Sequence, residues 1–137
     1  MKKETIENNR ILKLTLKFSL LIIKYCDALQ DVRKFTVSNQ VSRSGTSMGV
    51  ISFEAQNAES KADFVHKIKI AAKEADESQY WLALFGLASN YPDCKILSQK
   101  LLEIQKILNN ISRTAKQKSS INYLLSFLLC NNSVHVH

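Results

Sequence analysis

Two stretches of this sequence carry residue types that could hold an anion or a metal. Ser44-Gly45-Thr46-Ser47 lies in a run, residues 42–64, that contains two of the three glycines, Gly45 and Gly49. Small hydroxyl residues beside a glycine suit an anion-binding turn, and a phosphate loop would imply an enzyme. A Walker-type loop needs G-x-x-x-x-G-K-[ST] after a strand. Here the glycines are four residues apart, no Lys follows Gly49, and nothing upstream reads as a strand. The same residues have another use. Ser44, Gly45, Met48, Gly49 and Ser52 fall along one side of a helix, where small side chains let a second helix approach closely. Each glycine costs about 1 kcal/mol of helix propensity relative to Ala, which a packing gain must offset. The expectation is a tight helix–helix contact at Gly45 and Gly49.

The metal-binding alternatives are thinner. A carboxylate-bridged metal bundle needs Glu-x-x-His on two helices and a Glu on each of the others. Asp63-Phe64-Val65-His66 is one loose copy, with Glu54, Glu74 and Glu77 elsewhere, and the only other histidines are His135 and His137. His66 is therefore expected to be an ordinary surface or interface residue. His135-Val136-His137 with Cys130 would have to gather ligands on an uncapped terminus. No Ser-His-Asp or Cys-His arrangement is apparent, since Cys26 and Cys94 have no histidine near in sequence or by heptad position. No catalytic residue, metal or cofactor is expected. Three cysteines without a C-x-x-C pair point to reduced thiols in a cytoplasm, with Cys26 a small buried apolar residue.

The elements that would position these residues are helical. In residues 8–30, Ile11, Leu14, Phe18, Leu21, Tyr25 and Leu29 recur at three- and four-residue steps. Leu12, Leu16, Leu20 and Ile23 widen that stripe, so this helix needs more than one neighbour. A second helix is expected over 37–57, capped by Thr36 or Ser38. A third opens with Ser60 as cap and Asp63 three residues on, a pattern close to a capping box. It continues through Phe64, Ile68, Ala71, Ala75, Leu82 and Phe85. Asn90-Tyr91-Pro92-Asp93 is the clearest break. Beyond it Leu97, Leu101, Ile104, Leu108, Ile111 and Ala115 step 4-3-4-3-4, a heptad seam of the kind that packs bundles. One proline and three glycines in 137 residues disfavour a β-rich or loop-rich fold. The fold class expected is all-α: an antiparallel up-down four-helix bundle over 1–118, with an apolar extension over 119–137. That extension fits strand alternation and helix spacing equally, and it is apolar enough to dock on its own bundle or on another subunit.

Charge is segregated along the chain. The net charge is +7, with eight Lys/Arg against four Asp/Glu in residues 1–34 and six against two in 91–137. Residues 35–60 hold one against two, and 61–90 four against four. First and fourth helices are neighbours in such a bundle, so Lys13, Lys17, Lys24, Lys106, Arg113 and Lys116 are expected to form one basic face. A solvated surface without a ligand is the alternative. Arg43 and Glu54, eleven residues apart, can share a helix face and form inter-helix or inter-subunit ion pairs with Lys61, Glu74 and Glu77. Trp81 and Tyr80 are expected in the core or at a subunit interface, not stacked on bases. No apolar run is long enough to span a bilayer, and Met1-Lys2-Lys3 leads into polar residues and not a signal peptide, so the expected location is cytoplasmic.

The runs "QVSRSGTSMG" and "EAQNAESKADFVHKIKIAAKEADESQYWL" resemble the bacterial four helix bundle protein family, also called the 23S ribosomal RNA intervening-sequence protein family. The resemblance spans residues 18–115. Its most specific parts are Gln40, Arg43-Ser44-Gly45-Thr46-Ser47, Glu54-Ala55, Ser60-Lys61-Ala62-Asp63-Phe64, Lys73-Glu74-Ala75 and Tyr80-Trp81-Leu82. It implies an antiparallel four-helix bundle that assembles as a homopentamer. It also implies an architecture similar to the accessory protein of diversity-generating retroelements, which binds nucleic acid and a reverse transcriptase. Family members usually carry an Asn, and often an Arg two residues later, where this chain has Ile51 and Phe53. The resulting expectation is a non-enzymatic cytoplasmic homo-oligomer. Gly45, Gly49 and Trp81 would lie at helix-packing or subunit contacts. Lys13, Lys17, Lys24, Arg43, Lys106, Arg113 and Lys116 would face RNA or DNA. A structural protein-interaction scaffold is the alternative, and a metal-dependent oxidoreductase the third class.

Overall fold

The structure, a computed structural model, describes residues 9–134. Among them are four helices and no strand: α1 (Arg10–Asp31), α2 (Phe35–Ala55), α3 (Lys61–Leu87) and α4 (Lys95–Val134). In α1 the Asn9 side chain caps the first turn, accepting from Leu12 N–H at 3.4 Å. Ile11, Thr15, Phe18, Ile22, Tyr25 and Leu29 are all buried, so the core edge of α1 follows a strict 4-3 spacing.

The turn from α1 to α2 departs from the sequence expectation. Arg33 adopts a left-handed conformation, φ 62°. Its N–H bonds the Gln30 carbonyl at 2.9 Å, and the Lys34 N–H bonds the Leu29 carbonyl at 2.8 Å. That pair of bonds is a Schellman closure, usually built on glycine. It reverses the chain at once, so α2 begins at Phe35 behind Lys34, which supplies no side-chain cap. Thr36 and Ser38 are therefore not caps. Ser38 is buried inside α2, where its hydroxyl donates to the Cys26 carbonyl at 3.3 Å. The Cys26 thiol donates back to the Ser38 carbonyl at 3.5 Å.

Ser60 does cap α3, its Oγ accepting from Asp63 N–H at 3.0 Å. The Asp63 carboxylate accepts from Glu59 N–H at 3.1 Å, one residue before the position a full capping box would use. Asn90, at φ 64°, turns the chain between α3 and α4; Asn is among the few residues that tolerate this conformation.

Cross-helix contacts give the order of packing. On α1 and α2, Cys26 meets Ser38, Ile22 faces Gly45, Thr15 faces Gly49, and Asn9 bonds Gln56, so one number falls as the other rises. Ser44 meets Ser78 between α2 and α3. Leu82 meets Cys94, and Gln105 bonds Asp76 and Gln79, between α3 and α4. The ring closes where Tyr25 O–H donates to the Pro92 carbonyl at 2.8 Å and Arg10 pairs with Glu103 at 3.0 Å. Phe18, Ile22, Leu29, Met48, Ile68, Leu82, Leu101, Ile104 and Leu108 fill the centre, all essentially inaccessible. At one end Phe85 stacks on Tyr91 and Tyr25, with centroids 5.1 and 5.9 Å away.

The last helix is longer than the bundle. It spans 40 residues against 22, 21 and 27 for the others. The segment whose pattern fitted strand and helix equally is helix, continuous with the heptad seam before it.

Candidate functional site

Ser44-Gly45-Thr46-Ser47 forms no anion-binding turn, because it lies in the middle of α2. Thr46 Oγ1 donates to the Ser42 carbonyl and Ser47 Oγ to the Arg43 carbonyl, each at 2.8 Å. Ser44 is fully buried and accepts from Ser78 Oγ at 2.9 Å. The hydroxyls serve the helix and its neighbour. Gly45 is where α1 comes closest: a Cβ there would lie 2.9 Å from Ile22 Cγ1. At Gly49 the same construction gives 3.2 Å to Thr15 Cβ. Both glycines are thus contact points of α2 with α1.

Gly49 also lines an open apolar groove of about 320 Å³ with Leu12, Thr15, Leu16, Val50 and Phe53. Leu16, Leu20 and Ile23, spaced 4-3 on α1, form a second apolar stripe beside the buried one, and about half of each side chain or more is exposed. Val50 of α2 is exposed alongside. Ile51 and Phe53 are half-buried and packed against the core.

The charged residues separate by seam. Arg43 bridges α2 to α3, with Nη1 3.1 Å from Glu74 Oε2 and Nη2 against Glu77. Two carboxylates therefore engage the one arginine of α2. Glu54 and Lys61 do not join that cluster. Lys13, Lys17 and Lys24 are exposed on α1, and Lys106, Arg113 and Lys116 on α4. Helices α1 and α4 meet between the Arg10–Glu103 and Tyr25–Pro92 contacts. The three α1 lysines fall in that interval, and so do Lys95 and Lys100 of α4, which the sequence pattern did not single out. Lys106, Arg113 and Lys116 continue along α4 past the level of Arg10. The axial spread of these cations is therefore greater than the length over which α1 and α4 meet. Among the described residues no ion pair engages Lys13, Lys17, Lys24, Lys106 or Arg113.

Trp81 is half-buried, stacked on Phe85 at 6.4 Å and edge-on to Tyr80 at 5.7 Å. Its indole N–H is buried without a hydrogen-bond partner among the described residues. Burial pushes the Cys26 and Cys94 thiols and the Tyr25 hydroxyl above their ordinary pKa values. His66 is exposed; His135 and His137 lie outside the described residues. Among the described residues no three His, Cys, Asp or Glu side chains come together as a metal would require. No helix among them is long and apolar enough to cross a membrane.

Among curated proteins none matches this sequence. A solved structure does: a protein of unknown function from the S23 ribosomal protein family of Bacteroides thetaiotaomicron, 35% identical. It superposes with a TM-score of 0.71 over 74% of this chain and 97% of that one. The sequence profile of the 23S rRNA-intervening sequence proteins matches residues 7–113, the span that holds the three shorter helices and the bundled part of α4. The chain therefore belongs to the 23S rRNA-intervening sequence protein family.

Proposed function

We propose that this protein is a non-enzymatic, cytoplasmic homo-oligomer, a pentamer by family resemblance, that binds RNA or DNA along the basic edge of α1 and α4. The observation that carries the proposal is the separation of charge. The carboxylates Glu74 and Glu77 are drawn to Arg43 at the α2–α3 seam, while the α1 and α4 cations are exposed. Exposed Lys and Arg spaced along a helical edge match the sequence-independent recognition of phosphates. Arg43, already held by two carboxylates, is left out of that surface. Self-assembly is supported by the apolar groove and stripe of Leu16, Leu20, Ile23 and Val50, since unpartnered apolar surface of this kind favours burial between subunits.

The non-enzymatic reading is supported by the chemistry of the buried groups. Thiols whose pKa is raised by burial carry less thiolate, the opposite of an activated nucleophile. The groove offers mainly apolar walls.

The test is binding to structured RNA and to duplex DNA across an ionic-strength series, with mass in solution followed in the same buffers. About six phosphate contacts give a slope of log K against log salt near −5. Lys13→Glu, Lys17→Glu and Arg113→Glu together weaken binding at least tenfold and flatten that slope. Absence of binding at low salt, with the oligomer intact, refutes the nucleic-acid reading and leaves a protein-interaction scaffold.

A further inference from the structure

We propose that the part of α4 beyond Ala115 pairs in antiparallel fashion with the same segment of a second copy of this chain. Ala115 is the last buried residue among the described side chains, yet the helix runs on to Val134. At 1.5 Å per residue the overhang measures roughly 28 Å. The family profile ends at residue 113, before this segment begins. The inference therefore rests on the overhang and not on how the bundles assemble.

The overhang presents an unfilled face. Ile121, Leu124, Leu125, Leu128 and Leu129 recur at three- and four-residue steps, so they share one side, with Phe127 beside them. Their exposures run from 52% for Leu125 to 69% for Leu129, so the segment does not fold back on its own bundle. Ser126 leaves the stripe unbroken, its hydroxyl donating to the Asn122 carbonyl at 2.9 Å. A helix of this length with no tertiary partner is marginal in water.

Three features select a second copy as that partner. Residues 119–134 contain no charged side chain, so the face offers nothing to an acidic or basic ligand and meets its own kind without repulsion. The area is sufficient: six large apolar side chains exposing roughly 100 Å² each bring two copies to about 1,200 Å², where specific interfaces begin. Charge at the base of the overhang sets the direction. Lys116 and Lys118 precede the apolar segment. Antiparallel pairing lays them beside the C-terminal end of the partner helix, where the helix dipole is negative. Parallel pairing would instead crowd four lysines and two basic bundles together.

The full chain and its Leu125→Glu/Leu128→Glu variant test this by mass in solution. Both positions are exposed, so folding is unaffected, and helical content is checked alongside. The expected result is a wild-type mass at least twice that of the variant, whatever the assembly state of the bundle. Equal masses overturn the proposal. Leu16→Glu/Val50→Glu, in the α1–α2 groove, tests bundle assembly separately, so either reading can fail alone. Direction is read in a Cys130→Ser background by mixing Ile121→Cys and Leu129→Cys proteins under mild oxidation. Crosslinks between the two, exceeding either self-crosslink, are expected; dominant Ile121→Cys self-crosslinks overturn the antiparallel arrangement. Wild-type cosedimentation with phosphatidylserine vesicles that the variant loses, at unchanged mass, would assign the face to a membrane surface and overturn the proposal.

Discussion

Replacing the glycines by alanine one at a time separates what helix propensity wants from what packing permits. In an open helical position Gly→Ala stabilises by up to about 1 kcal/mol. Gly86, in α3, is such a position, since a Cβ there meets nothing within 4 Å. Gly45 is different. Its Cβ would lie 2.9 Å from Ile22 Cγ1, 3.1 Å from Cγ2 and 3.3 Å from Cδ1. Rotating Ile22 about χ1 exchanges one close carbon for another, and Ile22 is fully buried, so α1 and α2 must move apart. Overpacking of this kind costs about 1–3 kcal/mol, against the propensity gain of about 1. Gly45→Ala is therefore expected to destabilise by up to about 2 kcal/mol, Gly86→Ala to stabilise by about 0.5–1, and Gly49→Ala to fall near zero. Urea unfolding followed by far-UV circular dichroism, at one fixed protein concentration and with unchanged m-values, measures the series. Ile22→Ala completes a double-mutant cycle in which the Gly45→Ala penalty shrinks by at least ~1 kcal/mol. If Gly45→Ala stabilises as much as Gly86→Ala, or the cycle is additive, the close-approach argument is refuted.

Other outcomes follow from single features. Arg33 holds a left-handed conformation that costs a non-glycine residue about 1 kcal/mol, so Arg33→Gly raises stability by up to that amount in the same urea assay. Ser78→Ala removes the hydroxyl donor to buried Ser44 and costs about 1–2 kcal/mol; adding Ser44→Ala recovers part of that loss, because both partners are then gone. Cys26, Cys94 and Tyr25 hold their protons more tightly in the folded chain than in the unfolded one. Their contribution is complete below the unfolded pKa values, begins to fall above about pH 9, and is lost as pH rises through the folded values. Urea midpoints measured from pH 8 to 11 should decline, and Cys26→Ala should make the decline shallower.

Helices whose start or seam is written locally were legible without coordinates. Ser60 with Asp63, the break at residues 90–93 and the 4-3 spacing from Leu97 to Ala115 each involve neighbours a few residues apart. The start of α2 was not legible, because its signal is the left-handed Arg33, and arginine is not a residue that announces such a turn. The heptad spacing in residues 121–129 also fitted strand alternation; continuity with a helix already running from Lys95 decided it. Among the site residues, the small-residue stripe of Gly45 and Gly49 could be placed on one helix face, but not against Ile22 and Thr15 in particular.

Composition and spacing were enough for an all-helical bundle with basic ends, since charge and hydrophobic period are properties of the linear chain. The tertiary arrangement alone decided which charges meet. Arg43 reaches Glu74 and Glu77 across 31 and 34 residues only because α2 and α3 pack with those faces together. It also set the stagger of α1 against α4, which carries Lys106, Arg113 and Lys116 past the level of Arg10. Rotation and axial offset between helices depend on how side chains interlock throughout the core, and no short window of sequence contains that information.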